Sequence, residues 1–148
     1  FIVSILRRDV MPIIGINFKN FEAKRMEDIT GSIKLSTNMN ITNVKEQDLP
    51  LLKTKGLSIE FEFKANYNNE KDKNIGKIDI FGDVVLIGEE TEKVLREWKK
   101  DKKLPDEVKF QVLRLVTDKC SKKAILLSDD LQLPPPPLLM PQTKREER

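Results

Sequence analysis

An antiparallel α+β domain is predicted: a four-stranded antiparallel sheet followed by a long C-terminal helix and a proline-rich extended tail. Three observations predict it. Apolar and polar residues alternate in four successive stretches between about residues 14 and 87, which is the period of a strand with one buried face. The apolar spacing then changes to three and four between Val108 and Leu131, the period of a helix that buries one stripe. Last come Pro134, Pro135, Pro136 and Pro137, which can neither continue a helix nor donate to a sheet ladder and so adopt polyproline II.

The elements follow in order. Residues 1–13 read as an N-terminal extension, with Met11 just ahead of the first strand, and the folded domain as residues 14–141. Removal of residues 1–10 is expected to leave folding intact. In the first strand Ile14, Ile16 and Phe18 alternate, then Phe21 and Ala23 alternate in the other phase. The slip at Lys19-Asn20 predicts a bulge. The second strand sets Ile33, Leu35, Thr37, Met39 and Ile41 against Lys34, Ser36, Asn38 and Asn40; residues 45–56 then read as a loop or a short helical turn. The third strand is the clearest, with Leu57, Ile59, Phe61, Phe63, Ala65 and Tyr67 on one face and Ser58, Glu60, Glu62 and Lys64 on the other. Asn68 to Asn74 is a hydrophilic hairpin loop. The fourth strand, about Ile75 to Ile87, becomes apolar on both faces at Val84-Val85-Leu86-Ile87, so it is covered on both.

Such a succession of strands suggests a meander. Two helices follow within about residues 91–131. Thr91 is placed to cap the first, through Val94, Leu95 and Trp98, and Asp106 to cap the second. A strap over residues 132–141 and a disordered polar tail over 142–148 complete the chain.

Composition limits the chemistry. The 148 residues suffice for one domain with a real core. Cys120 is the only cysteine and histidine is absent, so an intramolecular disulfide, a Cys/His metal site and any histidine base are excluded within one chain. Cys120 sits on the apolar helix face and reads as a core residue. The carboxylates Glu60, Glu62, Asp79, Asp83, Glu89, Glu90, Asp129 and Asp130 lie on polar faces or element ends and read as solvated charges. Isolated glycines form no phosphate loop. No enzyme, no cofactor and no metal is therefore expected. The net charge of +3 is spread among both signs, and Tyr67 and Trp98 are not set among the lysine clusters, which argues against nucleic acid. The short apolar start, Phe1 to Leu6, is too brief to span a bilayer, so a cytoplasmic location without membrane insertion is expected.

The surplus is apolar surface. Phe81, Val85, Ile87, Trp98, Leu138, Leu139 and Met140 exceed what one helix can cover, which predicts a homo-oligomer, dimer or tetramer, and a surface for other chains. The long first strand with Gly15-Ile16-Asn17-Phe18, the three further strands, Phe81-Gly82-Asp83-Val84-Val85-Leu86, the helix and the Leu-Pro-Pro-Pro tail together resemble the SecB-like chaperones. The resemblance covers about residues 14–141 and rests on element order and apolar pattern. It implies an ATP-independent holdase that binds unfolded polypeptide clients in long apolar grooves, commonly as a tetramer of two dimers, with roles in protein export or toxin–antitoxin control. The chain departs from the SecA-docking members in lacking an acidic sheet surface and a zinc-ready tail. The seven apolar residues above are the expected client-binding set. Two other readings use the same surface or charge: an interaction subunit with one fixed protein partner, and a nucleic-acid- or ribosome-associated protein.

Overall fold

A computed structural model describes residues 13–88 and 90–136. Four strands, β1 (Ile13–Arg25), β2 (Lys34–Leu49), β3 (Thr54–Asn68) and β4 (Asn74–Leu86), precede α1 (Thr91–Asp101) and α2 (Asp106–Asp130). The strands form one antiparallel sheet in the order β1-β4-β3-β2.

That order is not a meander. β4, apolar on both faces, takes an interior place and β1 pairs along its free side. β1 therefore ends at one edge of the sheet while β2 begins at the other. The connection between them passes the β3–β4 hairpin loop and is tied to it. Met26 N–H donates to the Ile75 carbonyl at 2.8 Å, Ser32 N–H donates to Glu70 Oε2 at 3.2 Å, and Lys73 pairs with Glu27. Eight residues easily cross three inter-strand gaps of about 4.8 Å each. The hairpin loop itself is closed by Asn69 Oδ1, which accepts from the Lys71 and Lys73 amides.

The bulge expected at Lys19 is present as a register shift between Phe18 and Asn20. Residues 45–49 correct the expectation of a loop. A second bulge, between Ile41 and Asn43, changes the phase of β2, which then runs on to Leu49 paired with Thr54. Only Pro50–Leu52 form a helical turn, of the 3-10 kind.

One sheet face carries the core. Leu57, Ile59, Phe61, Phe63, Ala65 and Tyr67 are paired with Leu86, Val84, Gly82, Ile80, Ile78 and Gly76, and all but the glycines join Val94 and Trp98 of α1 and Val112, Val116, Cys120 and Ala124 of α2 in a single buried cluster. α1 lies over β2 and β3, and α2 over β4 and β1. Gly82 is required here. A Cβ on it would come within 2.2 Å of the Asn17 carbonyl oxygen and 3.0 Å of Phe61 Cζ. The gap it leaves lets Phe18 and Phe61 meet edge to face across β4, with centroids 6.3 Å apart.

Neither helix begins on the expected side-chain cap. Thr91 Oγ1 donates to the Gly88 carbonyl at 2.9 Å instead of accepting from the helix, and Pro105, not Asp106, precedes the first turn of α2. Proline needs no amide partner there, and its fixed φ suits a helix start. α2 ends in a Schellman motif. Gln132 has φ 57°, its N–H donates to the Asp129 carbonyl at 3.1 Å, and Leu133 N–H donates to the Ser128 carbonyl at 2.9 Å. This reversal turns the chain back onto the sheet.

Candidate polypeptide-binding surface

The strap is the first component. Leu133 fills the space above Gly76, where a Cβ would lie 3.2 Å from Leu133 Cδ1. One residue on, the Tyr67 hydroxyl donates to the Pro134 carbonyl at 2.6 Å. Burial pushes that hydroxyl up to about 12 from 10.0. Leu133 and Pro136 are buried, so the described part of the proline segment packs on its own domain. Leu138, Leu139 and Met140, three of the expected client-binding residues, lie outside the described residues.

The other four are divided between two faces. Phe81 and Val85 point away from the helices, opposite Glu62 and Ser58 of β3. Phe81 is half-buried, and Val85 is closed off at 4% exposure. Ile87 is half-buried just past β4. Trp98 faces the core from α1 at 8% exposure, with Lys102 Nζ 5.7 Å from its ring centroid. These residues do not form one continuous surface within a single chain.

The face away from the helices is polar. Lys45 pairs with Glu60 at 3.1 Å, Lys64 with Glu62 at 3.9 Å and Lys77 with Asp79 at 3.2 Å. Glu22 is held below the usual carboxylate range, chiefly by a hydrogen bond from Lys24 and then by the charge of Lys77. Asp83 is buried and fully engaged: it accepts from Ser58 Oγ at 2.8 Å and Asn17 Nδ2 at 3.1 Å, with Lys19 Nζ at 3.4 Å. Each of these carboxylates is neutralised by a neighbour, which is a structural arrangement of charge and not an acid–base pair. Cys120 is fully buried, and burial pushes its thiol up to about 12 from 9.0, so it packs as a core residue. Among the described residues no group of three or more His, Cys, Asp or Glu could hold a metal ion.

Apolar surface lies instead along the rims of the helix-covered face, where pattern reading of the sequence placed only ordinary strand residues. On β2, Ile33, Leu35, Met39 and Ile41 stay half-buried, and Met39 Sδ meets Thr117 Oγ1 of α2 at 3.9 Å. On β1, Phe18 and Phe21 stack at 5.2 Å. Phe21 remains 42% exposed, with Lys123 Nζ 5.6 Å above its ring. Leu126 on the outer side of α2 is 62% exposed, and Leu51 at the β2–β3 turn is 97% exposed. The signal that could have found these positions is strand order: a half-buried stripe marks an edge strand, and the edges were unknown before the topology.

No protein-family model and no curated protein matches the sequence. Among solved structures, the chain is similar to a SecB-like chaperone of Mycobacterium tuberculosis, solved in complex with a ChAD peptide from the HigA1 antitoxin. The TM-score is 0.65 at 12% sequence identity, over 89% of this chain and 91% of that one. A four-stranded antiparallel sheet followed by two helices, the longer one last, is thus a SecB-like fold in this chain.

Proposed function

We propose that this protein is an ATP-independent holdase, which binds extended segments of unfolded polypeptides on the apolar rims of its helix-covered sheet. The observation that carries the reading is the combination of a SecB-like fold over nearly the whole chain with large apolar side chains left open along both sheet edges and the outer face of α2. Binding a peptide is what the similar chaperone does in its solved complex. Holding requires no catalysis: many shallow apolar contacts shield a client and still release it, because each side chain contributes only about 1.5–3 kcal/mol before ordering costs are subtracted. On this reading the protein acts as a homo-oligomer in the cytoplasm, on clients of an export or toxin–antitoxin system.

The test is light scattering from a reduced, unfolding client protein without nucleotide. Equimolar holdase is expected to suppress the aggregation signal, and Phe21→Ser combined with Met39→Ser to weaken suppression several-fold while circular dichroism stays native. Unchanged aggregation in the presence of the wild-type chain overturns the proposal.

A further inference from the structure

The two edges of the sheet, β1 and β2, are finished differently. β1 is interrupted by register shifts beside Ile14 and Lys19 and carries Lys19, Lys24 and Arg25. Bulges and lysines are the devices by which native sheets blunt an edge against further strands. β2 has neither over most of its length. It pairs with β3 without a break from Lys34 to Ile41, and from Leu35 to Val44 it contains no charged residue, no proline and no glycine. An edge left this smooth is an acceptor for another backbone.

Its two sides also differ. Toward the helices the edge presents Leu35, Met39 and Ile41, paired with the core residues Tyr67, Phe63 and Phe61 and themselves half-buried. Toward the polar face it presents Ser36, Asn38 and Asn40, all exposed. Along an edge strand, every second residue aims its N–H and C=O outward. Only a chain with donors and acceptors at the strand repeat can satisfy that row.

We infer that the outer edge of β2 takes up a client segment of about eight residues as a fifth strand, roughly 26 Å long at the strand rise. The segment carries apolar side chains at alternate positions beside Leu35, Met39 and Ile41 and polar ones beside Ser36, Asn38 and Asn40. This rests on the polypeptide-holding reading and adds to it a selection rule: period-two amphipathic segments without proline are preferred over uniformly apolar or helix-patterned ones. Such segments are the half-buried strands of other proteins before they fold, which fits a holdase that hands its clients on unfolded.

The full chain is titrated with a fluorescein-labelled synthetic peptide of about ten residues, alternating valine with threonine or lysine. Amide hydrogen exchange is followed in the same mixture. The peptide is expected to protect amides between Lys34 and Ile41. N-methylation of the peptide at one set of alternate residues is expected to weaken binding at least about tenfold, and at the other set to leave it within about twofold, since only one set points at the edge. An isomer with the valines clustered is expected to bind at least about tenfold more weakly. Equal effects of the two N-methylated sets, or protection elsewhere with β2 unchanged, overturn the inference. If client aggregation is suppressed while β2 stays unprotected, holding stands and the fifth strand falls. If β2 is protected by the peptide but aggregation is not suppressed, the holdase reading is what fails. If β2 amides slow with protein concentration alone, a second copy closes the edge and the inference is overturned.

Discussion

Tyr67 and Cys120 show how burial reports on individual side chains. Each has lost water around a group that ionises only at the cost of a desolvated charge, so each pKa is pushed up to about 12, from 10.0 for Tyr67 and 9.0 for Cys120. In both, the folded chain holds its proton to higher pH than the unfolded chain does. Their contributions to stability are therefore complete below the unfolded values and are lost as pH rises, from about 9 to 12 for Cys120 and from 10 to 12 for Tyr67. Urea midpoints measured from pH 8 upward are expected to decline across that window. Cys120→Ala and Tyr67→Phe should each flatten the decline, and Tyr67→Phe should also release the strap by removing the donor to Pro134. Slopes identical to wild type in both variants would show that neither proton is held by the fold.

At the scale of elements, β4 organises the sheet. Its two apolar faces require an interior position, and Gly82 within it is the point where β1 comes closest. Gly82→Ala would drive a methyl group into the Asn17 carbonyl at 2.2 Å, a backbone atom that cannot rotate away. The expected loss is about 3 kcal/mol, as for overpacking that the backbone must absorb, read as a lower denaturant midpoint with an unchanged slope. A loss below about 1 kcal/mol would mean that β1 can slide at this position. Leu133 above Gly76 is the milder counterpart, because a flexible side chain there can give.

For the whole molecule, the open question of covering apolar surface becomes one of assembly. Leu126 projects outward from α2, and Phe21 lies at the rim of β1, so neither can be buried by its own chain. A dimer or tetramer is expected by light scattering at micromolar concentration, with Leu126→Lys shifting the distribution toward smaller species without altering the circular dichroism. A wild-type chain that is cleanly monomeric there would refute assembly through these faces and leave both rims available to clients.

Period alone made four strands, two helices and an extended proline strap legible in this sequence, because alternation and helical spacing are local properties of the chain. The bulge at Lys19, the core role of Cys120 and the two-sided burial of β4 were legible for the same reason. Each shows in a residue's immediate neighbours or in its type. Strand order was not legible. A meander and a crossed β1-β4-β3-β2 sheet share the same local pattern, and the choice depends on which strand must be interior, an energy that exists only once the sheet and both helices pack together. The candidate site followed the same division. Phe81, Val85, Ile87 and Trp98 were picked for being apolar, yet tertiary packing put two on the polar face and one in the core, and it made an edge of β2, whose stripe of Leu35, Met39 and Ile41 had looked like any other strand face. Local spacing sets which side chains share a face; only the closed fold decides which of those faces still meets water.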